Sequence, residues 1–258
     1  MDRRRIELGA MLLFPLFACI IAFAFHPNGL LSIFLFYGIP TAYLSFAYPF
    51  YVRKAAVFAL VSGIPFMSVI SYFAHRTDTW RIDSLFPQLL THIIIEDVIW
   101  AVFWIYLTIL FYEVFIHHRI EHAFWHPHMK YFAILAFAVV SLFALAITQF
   151  SSLLDIPYFY LWMGIIVMLL PVCFEYATHK RVFMTFLGTA VYFFYFHLVY
   201  EVTGLLLGWW FFPQSDDFVG MVTLFGVAFP FEELFFWIML GGIVVLSYFE
   251  LFDDAQRA

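Results

Sequence analysis

Charge is what this sequence has least of. Asp, Glu, Lys and Arg make up 12% of its 258 residues, about half the share in an ordinary soluble domain. So few charges cannot clothe a water-facing surface around a chain that is 65% hydrophobic and 23% aromatic, and the composition selects a membrane protein. Cysteine is scarce too: Cys19 and Cys173 are too few for a disulfide framework and read as small core residues. No G-x-G-x-x-G follows a strand pattern, and no stretch is left over for a soluble nucleotide-binding domain, which excludes the usual flavin or nicotinamide site. Aspartate-rich motifs that would hold Mg²⁺ against a diphosphate are also missing. No cofactor, no metal and no nucleic-acid partner is expected.

Long apolar runs are present instead. Eight are each about long enough to cross a bilayer, at 6–25, 31–51, 55–73, 89–116, 129–150, 158–174, 181–206 and 219–249. The expected fold is an all-α polytopic membrane protein, because continuous runs of this length do not fit the ~10-residue alternating strands of a barrel. With the N-terminus inside, ten of the twelve basic residues fall on the inner side, Arg76 and Arg81 being the exceptions. That bias puts both termini of a multi-pass cell-membrane protein in the cytoplasm. The opening "MDRRRIELGAMLLFPLF" has an apolar run longer than a usual signal peptide, so a retained first helix is expected.

The chain also resembles itself. "TDTWRIDSLFPQLLTHIIIEDVIW" compares with "GWWFFPQSDDFVGMVTLFGVAFPFEELFFW", setting Trp80 against Trp210 and Glu96-Asp97 against Glu232-Glu233. Two four-helix repeats, 1–116 and 129–258, are expected around a His-rich cytoplasmic linker at 117–128. Four crossings per unit give parallel repeats, with a central cavity between them.

The last run carries "PFEELFFW", in which two glutamates stand among aromatic residues. Neighbouring helical residues point about 100° apart, so Glu232 shares a face with Phe235 and Phe236, and Glu233 one with Phe236 and Trp237. Gly226 and Pro230 mark a break just before the pair. Ionisable residues at membrane depth point to function, although carboxylates that hold helices together are the plain alternative. Glu96-Asp97 lacks the proline, with Ile94 in its place. Glu113, Glu175 and Glu250 read as solvated helix ends or ion pairs. Two carboxyls that share a proton supply an acid and a base, and Phe and Trp faces favour a delocalised cation. Such a site suits protonation of an alkene.

These residues resemble the small membrane-embedded, flavin-independent lycopene cyclase domain, in its tandem-fused form. The likeness rests on Pro230, Glu232 and Glu233, followed by Phe235 and Phe236, on the upstream acid Glu201, and on the turn Gly208-Trp209-Trp210. It covers 50–116 and 178–252 best. The first copy departs from it, with Asp97 as second acid, Ser71 at the upstream acid position and only Trp80 of the turn. The resemblance implies redox-neutral closure of a six-membered ring at the end of a linear polyene such as lycopene, without a cofactor. It implies Glu232 and Glu233 as acid and base, with Glu201, Glu96 and Asp97 as lesser candidates. Pro230, Phe235, Phe236, Trp237, Trp209, Trp210 and Trp80 would contact the polyene, within membrane lipid. The tryptophans of the two turns also suit anchoring at the membrane interface.

Other readings remain beside it. "HHRIEHAFWHPHMK" holds five histidines within 117–128, and His118 and His122 stand one helical turn apart, as in diiron oxygenases. The other histidines, among them His75 and His197, are scattered singly, too few for such a centre. A Glu-Glu-x-x-x-Arg intramembrane protease would need Arg where Trp237 stands. A proton-coupled transporter or a polyene binder without turnover would also use buried acids and aromatic walls.

Overall fold

A computed structural model describes residues 3–117, 127–150, 154–213 and 216–253. Seven helices are long and apolar enough to cross a membrane: α1 (Arg3–Phe25), α2 (Gly29–Ala47), α3 (Pro49–Arg76), α4 (Ile95–His117), α5 (Met129–Gln149), α6 (Phe159–Thr178) and α7 (Lys180–Leu207). A bent pair has the length for one more crossing. It consists of the π-helical α8 (Glu233–Met239) and α9 (Gly241–Asp253), inclined at 55°. The chain is a polytopic, all-α protein, with four short strands among the described residues.

Helix α4 stands at the centre: 67% of its most apolar stretch is buried, against 22% for α1 and 17% for α5. Those two peripheral helices turn Leu13, Ile20 and Phe137 outward, an apolar surface that lipid, not water, would cover. Helix α3 lies along α4 and α5, and α7 packs against α1, α8 and α9.

Local chemistry places the breaks. Tyr48, at φ −135°, precedes Pro49 at the head of α3, as expected of a residue that proline drives out of the helical region. Helix α7 ends in a Schellman cap: Gly208 takes φ +69°, and the Trp209 N–H reaches the Gly204 carbonyl at 2.9 Å. The cap turns the chain back, so that β2 (Trp210–Phe211) pairs antiparallel with β1 (Arg81–Ile82), Ile82 opposite Trp210 and Arg81 opposite Phe211. Beyond lies a hairpin of β3 (Met221–Leu224) and β4 (Val227–Pro230). Its two turn residues, Phe225 and Gly226, both have positive φ, the geometry that matches strand twist.

Helices α2 and α6 share a construction: five α-helical residues, a π-helical segment (Phe34–Gly38 or Gly164–Leu169), then nine α-helical residues with Pro40 or Pro171 in the first turn. Helices α3 and α7 both run for 28 residues.

Several expectations are corrected. The run at 89–116 becomes helical only at Ile95, because Leu90 and Thr91 have positive φ and Leu89 bridges Ile93 in a turn. The run at 219–249 opens as the hairpin, since Val222, Thr223 and Val227 suit a strand and the Phe225-Gly226 turn ends any helix. Cys173 is exposed and Cys19 half-buried, so neither is a core residue. Glu113, Glu175 and Glu250 are buried, not solvated. His117 lies 3.2 Å from Glu113 and His179 3.3 Å from Glu175, each one turn further on. Helix α4 runs on through His117, whereas His118, His122 and His126 of the expected linker lie outside the described residues.

Candidate functional site

Four of the five sequence-predicted acids, Glu96, Asp97, Glu201 and Glu233, line one cavity of about 100 Å³. It is bounded by α2, α3, α4, α6, α7 and α8, with Ile82 of β1 and Trp210 of β2 completing the wall. No lysine or arginine stands among its lining residues. Aromatic rings fill most of the remaining wall, including Trp80, Trp100, Trp210, Trp237, Tyr160 and Tyr200. A second, apolar cavity of about 80 Å³ lies beside it between α3, α4, α6 and α9, and Met67 and Trp237 belong to both walls.

The acids are held differently. Glu233 lies at the start of α8, where Tyr160 of α6 donates a short hydrogen bond to its Oε2. Glu201 of α7 accepts the Trp210 indole N–H at 3.0 Å. One oxygen of Asp97 gathers three groups: Ser71 Oγ at 2.6 Å, His75 Nε2 at 3.0 Å and the Trp80 indole N–H at 3.4 Å. Ser71 Oγ in turn accepts the Ile94 N–H at 3.0 Å, just ahead of α4. Glu96 clamps the loop above it, accepting the Leu85 N–H at 2.6 Å and Ser84 Oγ at 2.7 Å.

Glu232 is the acid that stays outside the cavity wall. It is fully buried, and its Oε1 accepts the Val219 N–H at 2.7 Å, while Oε2 has no partner among the described residues. In each pair, then, the first acid binds the preceding loop and the second lines the cavity, a division that the ~100° step between helical neighbours permits; Glu96 also reaches the cavity wall, whereas Glu232 does not.

The sequence-predicted contact residues divide as well. Trp80, Trp210 and Trp237 line the cavity. Trp209 is buried but bonds the Pro27 carbonyl at 2.7 Å. Phe236 packs its ring onto Gly164, where a Cβ would come within 2.1 Å. Phe235 stacks on Phe231, and Pro230 is paired in β4 opposite Met221. Trp80 and Trp210 both turn inward and donate to acids, as a buried indole N–H usually does when a polar partner is in reach.

Comparison with protein-family models, curated proteins and solved structures returns no match.

Sequence reasoning passed over Tyr160, His75, Tyr200, Trp100 and His197, all placed on or against this site. Two left a helical signal. His75 stands four residues after Ser71, and His197 four before Glu201, so each shares a face with a residue already singled out. Tyr160 left none, because its approach to Glu233 depends on how α6 meets α8. Among the described residues, no three His, Cys, Asp or Glu side chains converge as metal ligands. The acids are instead spread around the cavity wall, on α4, α7 and α8.

Proposed function

We propose that the chain is a membrane-embedded cyclase that closes a ring at the end of a linear polyene, lycopene or a related carotenoid, without a net redox change. One observation carries the reading: Asp97, Glu201 and Glu233 share an aromatic-walled cavity, and Met67 and Trp237 stand on both its wall and that of an apolar chamber beside it. An apolar cavity takes up benzene at ~150 Å³. The two chambers together are therefore on the scale of a six-carbon terminus, and the rest of the polyene would extend towards lipid.

In this reading Glu233 is the proton donor, held in place by Tyr160. Its proton adds to the terminal alkene, the next double bond closes the ring, and the cation rests against Trp100 and Trp237. A basic group on the wall then removes a proton. Glu232, assigned with Glu233 on the resemblance to lycopene cyclases, serves on this geometry as the loop clamp beside the donor.

The reading includes two parallel repeats, with both termini in the cytoplasm. Supporting the repeat are the matched lengths of α3 and α7, the shared π-helical construction of α2 and α6, and the clamps at Glu96 and Glu232. The β1–β2 register is what a two-fold axis would produce. Read that way, it sets Trp80 against Trp209, one residue from the sequence match.

The test is expression in a lycopene-accumulating bacterium, with pigments separated by chromatography. Cyclised pigment is expected from the wild type and none from Glu233→Gln. A wild-type protein that leaves the polyene linear, or a Glu233→Gln variant that cyclises fully, would refute the proposal.

A further inference from the structure

We infer that His197 Nε2 is the base that takes the proton from the cyclised cation, an assignment that rests on the cyclase reading above. His197 is 6% exposed, on α7, and lines the acid cavity. Its Nδ1 lies 3.1 Å from the Trp237 backbone carbonyl. A carbonyl oxygen can only accept, so Nδ1 carries the hydrogen and Nε2 presents a lone pair. That nitrogen has no hydrogen-bond partner among the described residues. The carboxylates on the same wall each already accept at least one hydrogen bond: Glu96 from its loop, Asp97 from up to three groups, Glu201 from Trp210 and Glu233 from Tyr160.

The ring is also fixed in place. Gly241 lies against it, where a Cβ would stand 3.0 Å from Cε1, and Trp104 meets it edge-on at 5.8 Å. Trp104 in turn contacts Trp100 at 5.2 Å and Trp237 at 5.6 Å. The imidazole therefore packs within the same group of indoles that would face the cation. By the match that sets Ser71 against Glu201, the first half has Met67 here, which carries no basic nitrogen.

The proton balance closes without a further reactant. Glu233 gives its proton to the terminal alkene, and the neighbouring double bond supplies the electron pair of the new ring bond. A C–H bond beside the cationic carbon then breaks, its electrons become the ring double bond, and the proton passes to Nε2. Transfer from the imidazolium to the Glu233 carboxylate restores both groups.

The experiment compares wild type, His197→Gln and His197→Ala in membranes supplied with lycopene, either unlabelled or deuterated at the carbon that loses its proton. Glutamine can still donate to the Trp237 carbonyl but has no basic nitrogen. Both variants are expected to lose about 100-fold in rate, with an unchanged unfolding midpoint for His197→Gln and a larger deuterium effect in its residual turnover. Should His197→Ala fail to accumulate, His197→Gln decides alone. A glutamine variant that keeps more than about a tenth of the wild-type rate, or is slowed with no increase in isotope effect, overturns the assignment and leaves the cyclase reading standing. A wild type that does not cyclise the polyene overturns both.

Discussion

Replacing Gly204 by alanine pits helix propensity against packing. Gly204 lies near the end of α7, and alanine in a helix is favoured over glycine by up to ~1 kcal/mol. Propensity alone therefore makes Gly204→Ala stabilising. The added methyl, however, would stand 2.2 Å from Cη2, 2.4 Å from Cζ2 and 2.7 Å from Cζ3 of Trp210. Carbon atoms pack best at ~3.5–4.0 Å, so the indole must retreat by roughly 1 Å or more. Its N–H now sits 3.0 Å from Glu201, and such a retreat carries it past hydrogen-bond range. Overpacking costs about 1–3 kcal/mol, and a buried carboxyl stripped of its donor another 1–3 kcal/mol or so. Set against the propensity gain, the expected net loss is about 1–5 kcal/mol. Unfolding in detergent, followed by tryptophan fluorescence, measures it. Trp210→Phe supplies the control: the smaller ring escapes the methyl, so Gly204→Ala in that background should cost at least ~1 kcal/mol less. A Gly204→Ala variant as stable as wild type, or more so, would refute the packing that brings Trp210 to Glu201.

Three further outcomes are expected. Glu233→Gln should abolish ring formation, whereas Glu232→Gln, whose amide oxygen still accepts the Val219 N–H, should retain measurable turnover and lose about 1–3 kcal/mol of stability by burying an NH₂ where Oε2 has no partner among the described residues; pigment chromatography and unfolding separate the two. Ser71→Ala removes both a donor to Asp97 and the acceptor of the Ile94 N–H, so a loss of about 1–3 kcal/mol is expected in the same unfolding assay. Met67→Trp places a large ring on the wall that the two cavities share, and should reduce cyclisation at least ~10-fold while costing only the ~1–3 kcal/mol of overpacking.

The spans were legible because each is a continuous apolar run with a polar or proline-marked end, and that signal is local. Errors came where apolar residues are not helical. The run at 89–94 is as hydrophobic as a helix, and only the positive φ of Leu90 and Thr91 reveals the turn. The stretch at 219–230 is apolar because the hairpin carries Met221, Val222 and Phe229 beside a deep site, so hydropathy could not tell strand from span there. At the site, the acids were visible as charges in oily surroundings. Their donors were not, because Tyr160 meets Glu233 across 73 positions of sequence. His197 looked solitary for a related reason: its value lies in the Trp237 carbonyl opposite Nδ1, a backbone group that carries no side-chain signature.

Adjacency of the acids in each pair has a mechanical consequence. Because helical neighbours diverge by ~100°, Glu96 and Glu232 hold the backbone at Leu85 and Val219, while Asp97 and Glu233 turn to the cavity. From the opposite direction, Trp80 reaches down to Asp97 and Trp210 to Glu201. The loops outside the helices are thus joined to four buried carboxyls, by hydrogen bonds each worth ~1.5–3 kcal/mol where the carboxyl is charged. Lifting β1 and β2 would strain the two tryptophan bonds, to Asp97 and to Glu201, and uncover the cavity wall that Trp80 and Trp210 form.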